Sequence, residues 1–278
     1  MTKGAHPVIT TVNVNGCDFR CDVRGDGPPL VFIHGEIHGM DYWEHQMAEF
    51  SRDFRCLSYD RRGHAGTPTT AFGYSVANQA RDLEELMDHF AMQEAVIVAL
   101  AFGTTIAANF AIDHRERVRA LVIAAWSEMH DARSYLQRWE RSGLRAAEAV
   151  DAGGREALVE LLRAEGGDAM FKVIPPRGSP LREAAIQLLA SHPADEYRRG
   201  MLEMASSVPV LVPRFRELDL PVLGLCGTED PFPDQPAQLA GMRGFEEAPS
   251  IPEAGRFVHW EQPAAFNRQV RRFLEARL

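Results

Sequence analysis

The chain has 278 residues, 45% of them hydrophobic, and carries a formal net charge of −9 at pH 7. That is enough apolar material for one large core, or for a core with an inserted subdomain. The negative charge and the absence of a dense Lys/Arg run argue against a nucleic-acid partner, because phosphate binding needs clustered positive charge. No apolar stretch resembles a signal peptide or a membrane helix, so we expect a cytoplasmic protein without a membrane partner. The sequence leaves the oligomeric state open.

The predicted elements alternate between strands and helices. Residues 8–24 alternate apolar and polar side chains around Asn15-Gly16, which predicts a β-hairpin with a tight primed turn. A helix is predicted over residues 76–90, where Leu83, Leu86 and Met87 recur at helical spacing. Short apolar runs predict buried parallel strands at 30–33, 54–59, 95–100, 120–125 and 221–226.

This alternation indicates an α/β fold with a mostly parallel, doubly wound sheet and an antiparallel hairpin at one edge. From about residue 128 to 212 the pattern becomes helical and rich in Ala, Arg, Leu and Glu. We predict that 128–212 form an inserted helical cap, and that 1–127 and 213–278 form the core. The cap is expected to cover the carboxyl ends of the strands, where open sheets bind ligands.

Three ordered segments resemble the α/β-hydrolase superfamily, in its branch with a single cap. The first is the strand and His-Gly loop ending at Gly35, followed by Trp43. The second, Asp60 to Thr67, is similar to the D-x-R-G-x-G-x-S loop of that family. The third covers residues 95–109 and occupies the place of the nucleophile elbow, G-x-S-x-G, with the helix that follows it.

The resemblance implies that two of the three triad positions are lost. Ala101 stands where the nucleophilic serine belongs, and Arg256 stands where the histidine belongs. A methyl group cannot attack a carbonyl, and arginine cannot act as a base at neutral pH. Asp230 keeps the acid position, and we predict an ion pair between it and Arg256. His259 lies three residues after the base position, so we expect a structural role for it.

The resemblance also implies a retained oxyanion hole, since its donors are backbone N–H groups, here those of Glu36 and Phe102. Aromatic residues that the fold would aim at the cleft suggest a pocket for an apolar ligand. The aromatic set is Trp43, Phe102, Phe110, Trp126, Phe257 and Trp260. Together with Ala101, the other candidate substrate contacts are His34, Glu36, His38 and His259, and after them Glu128, His130 and Asp131.

Neither the cysteines nor the polar loop after Gly35 forms a pattern that indicates a metal site. The loop residues Glu36, His38, Asp41 and His45 match no helical ligand pair. The cysteines lack paired zinc-ligand spacing and are expected to be thiols in or near the core: Cys17, Cys21, Cys56 and Cys226. We therefore predict no metal and no cofactor.

The lost serine and histidine, the Ala/Arg-rich composition and the aromatic set also resemble the bottromycin epimerase group. That group matures a ribosomally made macrocyclic peptide by inverting the α-carbon of an aspartate beside a thiazoline. The resemblance implies an isomerase whose peptide pocket is lined by Phe110, Phe102 and Trp43, with the substrate carboxylate as base. Two alternatives stay open: a binder of an apolar metabolite or peptide without turnover, and a residual hydrolase or lyase that recruits His34, His38 or His259.

Overall fold

The computed structural model describes residues 8–126, 132–164, 174–175, 177–200, 210–231 and 236–278. Eight strands form one sheet in the order β1-β2-β4-β3-β5-β6-β7-β8. They are β1 Val8–Val14, β2 Cys17–Arg24, β3 Pro29–Ile33, β4 Arg55–Tyr59, β5 Ala95–Leu100, β6 Val118–Ala124, β7 Val222–Leu225 and β8 Phe245–Glu247. Strands β3 to β8 are parallel, and β2 pairs antiparallel with both β1 and β4. The predicted sheet and leading hairpin are confirmed.

Two layers of helices cover the sheet and bury its apolar residues. The helices of the core are α1 Glu44–Phe50, α2 Val76–His89, α3 Phe102–Asp113, α6 Val212–Phe215, α7 Val258–Glu261 and α8 Pro263–Arg277. Alternate residues of β3 face opposite layers, so Val31 and Ile33 join one core cluster while Leu30 and Phe32 join the other. All four cysteines are buried free thiols, as predicted.

Between β6 and β7 the described chain is helical and builds a small core of its own. It contains α4 Ala132–Ala164, kinked at Gly153 and Gly154, α5 Arg182–Leu189 and a π-helical turn at Glu196–Gly200. Apolar side chains of these helices pack with Ile37 from the loop after β3. This segment therefore packs onto the loop that carries the predicted oxyanion donor. The boundaries of a cap at 128 and 212 stay a prediction.

The described residues contain no helix long and apolar enough to cross a membrane.

Candidate functional site

The sharp turn between β5 and α3 has the conformation of a nucleophile elbow. Its central residue is Ala101, with φ 48° and ψ −121°, a region that residues with a side chain rarely adopt. The turn is held by the Ala101 N–H, which donates to the Ala124 carbonyl at 2.9 Å. On the other side, the Thr104 N–H and hydroxyl both donate to the Ala101 carbonyl. The strained turn thus persists although no hydroxyl stands on it.

Gly103 lets the first turn of α3 approach the end of β3. A Cβ atom at this position would lie 2.6 Å from the carbonyl oxygen of Ile33 and 2.7 Å from that of His34. Both obstacles are backbone atoms, which cannot rotate away. The glycine therefore sets the distance between the elbow and the His-Gly loop.

We expect Gly103→Ala to lower the free energy of unfolding by about 1–3 kcal/mol, the usual cost of overpacking a tight site. Urea unfolding followed by circular dichroism measures this. Gly255→Ala is the matched control, because the added methyl group would lie 3.4 Å from the Glu261 carboxylate, an ordinary van der Waals contact. Equal stability of the two variants would contradict the role given to Gly103.

The loop after β3 is anchored by His34. Its Nε2 accepts a hydrogen bond from the Arg61 N–H at 2.8 Å, and its Nδ1 therefore donates to the Gly35 carbonyl at 2.8 Å. Burial and the Arg61 charge hold the pKa of His34 well below its usual range. Both ring nitrogens are used within the protein, and a substrate contact by His34 stays a prediction.

His38 lies close to the elbow, and its ring nitrogens are engaged differently from those of His34. Its Nδ1 is 2.5 Å from the Glu36 carbonyl oxygen and so carries the proton, which leaves Nε2 as the acceptor. Nε2 is buried and has no hydrogen-bond partner among the described residues. A Cβ atom built on Gly35 would lie 3.0 Å from the Ala101 Cβ and 3.3 Å from the His38 Nδ1, so the two residues flank Gly35. The ring is a neutral imidazole beside the elbow.

The predicted ion pair at the remaining triad positions is present. Arg256 Nη1 lies 3.6 Å from Asp230 Oδ2, and both side chains are almost fully buried. A guanidinium thus occupies the place beside the acid that the family gives to histidine. Next to it, Phe257 packs edge-on against the His38 ring, with centroids 4.7 Å apart. The His38 imidazole is consequently close to the lost base position, although it comes from the loop after β3.

Part of the predicted aromatic pocket belongs to the core. Trp43 is fully buried against Phe32, at 5.1 Å between centroids, and against His259, at 4.3 Å. Burial lowers the pKa of His259 to about 3. Neither ring nitrogen of His259 has a hydrogen-bond partner among the described residues. This imidazole lies in α7 and packs in the core.

The other aromatic candidates divide between the elbow and the core. Phe102 begins α3 directly after the elbow, and the Arg61 guanidinium lies over its ring at 5.6 Å. Phe110 lies two turns further along α3, where it stacks on His114 at 5.1 Å. Trp126 is buried, and Trp260 packs near Tyr42. A substrate contact by these residues stays a prediction. Glu128, His130 and Asp131 lie outside the described residues.

Next to the loop after β3 lies a buried charged cluster that was not predicted from the sequence. Arg61 donates to the Glu36 carboxylate at 2.9 Å and to His64 Nε2 at 3.0 Å. Burial alone would raise the pKa of Glu36, but Arg61 and His64 together outweigh it and hold that pKa below its usual value. Because Arg61 donates to Nε2, the His64 Nδ1 carries the proton, which it donates to the Arg62 carbonyl at 2.9 Å.

The helical segment between β6 and β7 contributes a second carboxylate to this cluster. Glu196 is almost fully buried, accepts from His192 Nδ1 at 2.8 Å and from the Ala65 N–H at 3.3 Å. His192 and Glu196 are four residues apart, which is a signal of a local contact, although His192 lies in a bend before the helical turn. The separation of 131 positions between Ala65 and Glu196 concealed their contact. Within the described chain, no three metal-ligating side chains lie together as a metal site requires.

Comparison with known proteins defines the family. The family model for the alpha/beta hydrolase fold matches residues 28–263, and the chain belongs to this family. It is 28% identical to a putative 2-succinyl-6-hydroxy-2,4-cyclohexadiene-1-carboxylate synthase of Bacillus subtilis, over 95% of this chain and 98% of the relative. It is 23% identical to 3-oxoadipate enol-lactonase 2 of Acinetobacter baylyi, over 89% and 88%. The crystal structure of an enol-lactonase from Burkholderia xenovorans superposes with a TM-score of 0.76 at 22% identity, over 96% of this chain and all of that one.

These relatives correct the predicted enzyme class. They include two enol-lactonases, a putative non-heme chloroperoxidase and a 2-(acetamidomethylene)succinate hydrolase. They point to a hydrolase, and the prediction of an isomerase is wrong. The resemblance to the peptide epimerases rested on the absent serine and histidine and on composition. Those features describe what the site lacks, and they carry no information about the reaction.

Proposed function

We propose that this chain hydrolyses a small ester or lactone with water as the nucleophile and His38 as the general base. The observation that carries the proposal is the His38 ring, which lies across Gly35 from the Ala101 Cβ and whose buried Nε2 has no hydrogen-bond partner among the described residues. The substrate class follows the enol-lactonases among the relatives. Ala101 excludes an acyl-enzyme at the inherited position, so the attacking group has to come from elsewhere.

The proposed reaction uses the elbow as an oxyanion hole. The substrate carbonyl oxygen would lie against the N–H groups of Glu36 and Phe102, the second at the positive end of α3. Water would attack the carbonyl carbon and give its proton to His38 Nε2. The bond to the leaving oxygen then breaks, and that oxygen takes the proton back from the imidazolium. The products are a carboxylic acid and an alcohol, or one hydroxy acid from a lactone.

The surroundings of His38 determine its protonation state, its tautomer and its strength as a base. Burial lowers the pKa of His38 well below its usual range, helped by the neighbouring His259. The ring is therefore unprotonated at neutral pH and available at every turnover, although it is a weak base. The developing negative charge on the substrate oxygen would stabilise the imidazolium as it forms. Hydrogen bonding of Nδ1 to the Glu36 carbonyl keeps the ring in the required tautomer.

A panel of p-nitrophenyl esters and four- to six-carbon lactones tests the proposal. Hydrolysis above the buffer rate, constant between pH 6.5 and 8, is expected because His38 stays neutral throughout this range. The second candidate is ligand binding without turnover, which the Asp230–Arg256 pair favours because it engages both residues. Inertness toward the whole panel, combined with saturable binding of a panel member, would contradict hydrolysis and support binding.

A further inference from the structure

Ile37 lies between Glu36 and His38 in a strained backbone conformation. Its φ is 50°, and a positive φ is exceptional for a β-branched residue because the side chain then crowds the backbone. Glycine adopts positive φ without this penalty. Such strain persists only where the surrounding structure holds it, and it is concentrated at functional sites. Contacts around Ile37 must therefore hold this conformation.

The φ angle of Ile37 determines whether His38 can bond to Glu36. The hydrogen bond from His38 Nδ1 to the Glu36 carbonyl oxygen spans this one residue. Rotation of Ile37 to the usual negative φ would turn His38 about the N–Cα bond of Ile37, relative to the Glu36 peptide group, and break this hydrogen bond. The proton on Nδ1, which leaves Nε2 as the acceptor, is therefore fixed by the conformation of Ile37.

Hydrogen bonds fix the chain on both sides of Ile37. Before it, the Arg61 guanidinium donates to the Glu36 carboxylate at 2.9 Å. After it, the Met40 N–H donates to the Asp60 carboxylate at 2.7 Å. These bonds hold the two ends of the short segment, and the Ile37 side chain holds its middle.

The Ile37 side chain is held by the helical segment between β6 and β7. It is almost fully buried and joins the apolar cluster of that segment, which includes Leu158, Leu162 and Tyr197. Burial of an isoleucine side chain and the strain of a positive φ are of similar size, so the first can offset the second. Packing of the helical segment onto the loop therefore stabilises the strained conformation.

We propose that Ile37 is a positioning residue, which fixes the tautomer and the place of His38 through its contact with the helical segment between β6 and β7. The inference deepens the proposed function, on which it rests for the role of His38 as the base. It makes the helical segment part of the catalytic geometry, because the base is in position only when the Ile37 side chain is buried there. Ile37 acts through its neighbour and not by contact with the substrate.

Two substitutions of Ile37 separate positioning from packing. Ile37→Ala removes the contact with the helical segment but keeps a Cβ atom, so positive φ stays unfavourable and the loop should relax. Ile37→Gly removes the contact as well, yet glycine adopts positive φ about as readily as negative φ. We expect the wild-type loop geometry in about half of the Ile37→Gly molecules and in about a tenth of the Ile37→Ala molecules.

Nitrogen NMR spectra of the imidazole rings at pH 7.5 measure this geometry, because the Nδ1 signal of His38 shifts when its proton moves to Nε2. The His38 signals should differ most from the wild type in Ile37→Ala and less in Ile37→Gly. With the best substrate of the ester and lactone panel, kcat should fall about tenfold in Ile37→Ala and about twofold in Ile37→Gly. Ile37→Val keeps a branched side chain for the cluster and should behave like the wild type.

Two controls isolate the effect. His34 donates from Nδ1 to the Gly35 carbonyl, ahead of Ile37, and its signals should stay unchanged in every variant, which also shows that the variant has folded. Ala91→Gly is the matched backbone control, since Ala91 has a φ of 53° and is exposed between α2 and β5. It also removes a Cβ atom at positive φ, and it should leave the His38 signals and kcat unchanged.

The order of the two variants decides the outcome. A packing role alone predicts the reverse, because glycine loses at least as much side-chain contact as alanine does. Equal His38 signals in Ile37→Ala and Ile37→Gly, or a larger change in Ile37→Gly, would overturn the proposal. Leu158→Ala weakens the same cluster from the helical side and should move the His38 signals toward those of Ile37→Ala, whereas unchanged signals would count against the coupling.

The spectra also separate this inference from the proposed reaction, because they require no turnover. The expected order of His38 signals in a protein inert toward every ester and lactone would support the positioning role and contradict hydrolysis. Hydrolysis that depends on His38 but is equally fast in Ile37→Ala and Ile37→Gly would support the reaction and contradict the role of Ile37.

Discussion

His38→Gln is expected to lower kcat for ester or lactone hydrolysis by about 10²–10⁴-fold, the range that a general base contributes. Glutamine has a similar size and can keep a hydrogen bond to the Glu36 carbonyl, but it cannot accept a proton from water. KM should change much less, because the oxyanion donors are backbone groups that the substitution leaves in place. Initial rates with the best substrate of the ester and lactone panel measure both quantities.

The control is His45→Gln, in the helix that follows the same loop. His45 is exposed, so its replacement is expected to leave kcat within about twofold of the wild type. Thermal unfolding of both variants verifies that the fold is retained. A His38→Gln enzyme with wild-type kcat would show that the base is another group or that the reaction needs none.

Acidification from pH 7.5 to pH 5 is expected to lower the free energy of unfolding steeply, by up to about 6 kcal/mol. Burial lowers the pKa of His34 and His38 well below the usual value and that of His259 to about 3. The unfolded chain therefore binds up to three more protons than the folded chain as the pH falls through about 6.5 toward 5. Each histidine contributes stability that is fully present above this pH. About 2 kcal/mol of it is lost by pH 5.

Carboxylates with raised pKa values oppose this loss in part. Burial raises the pKa of Asp60, Asp82 and Glu261, so the folded chain holds their protons more tightly and gains stability at acid pH. Urea unfolding at pH 7.5, 6 and 5 measures the net effect. His259→Phe is the diagnostic variant, because the apolar ring fits beside Trp43 and Phe266 and removes one titrating group. Its loss of stability should be smaller by about 2 kcal/mol, and an unchanged loss would exclude His259 as a contributor.

The fold was predictable because its strands have simple patterns in the amino-acid sequence. Buried parallel strands read as short apolar runs, and residues 95–100 were predicted with the bounds that β5 has. The Asn15-Gly16 turn has positive φ at both residues, the reason for that dipeptide in a tight hairpin. Strand β8 was not predicted, since its three residues are exposed or half-buried and their sequence, FEE, does not alternate.

The site was predictable only where a local motif defines it. The elbow sequence identified Ala101, and the Gly-Arg-Phe segment identified Arg256, so the loss of nucleophile and base follows from the amino-acid sequence alone. The cluster around Glu196 could not be found in this way. It joins two distant parts of the chain, and hydrophobic periodicity contains no information on which polar side chains meet across such a contact. Trp43 packs in a core cluster and its substrate contact stays a prediction, since core and pocket aromatics have the same sequence pattern.

We propose that this family member, which lacks the elbow serine, hydrolyses its substrate without a covalent intermediate. Rapid acid quench during steady-state turnover of the best ester, followed by intact-protein mass spectrometry, tests this directly. We predict product formation with the protein mass unchanged, because water and not a side chain attacks the carbonyl. A protein fraction heavier by the substrate acyl group, formed and lost at the rate of turnover, would contradict it and place the nucleophile on another residue.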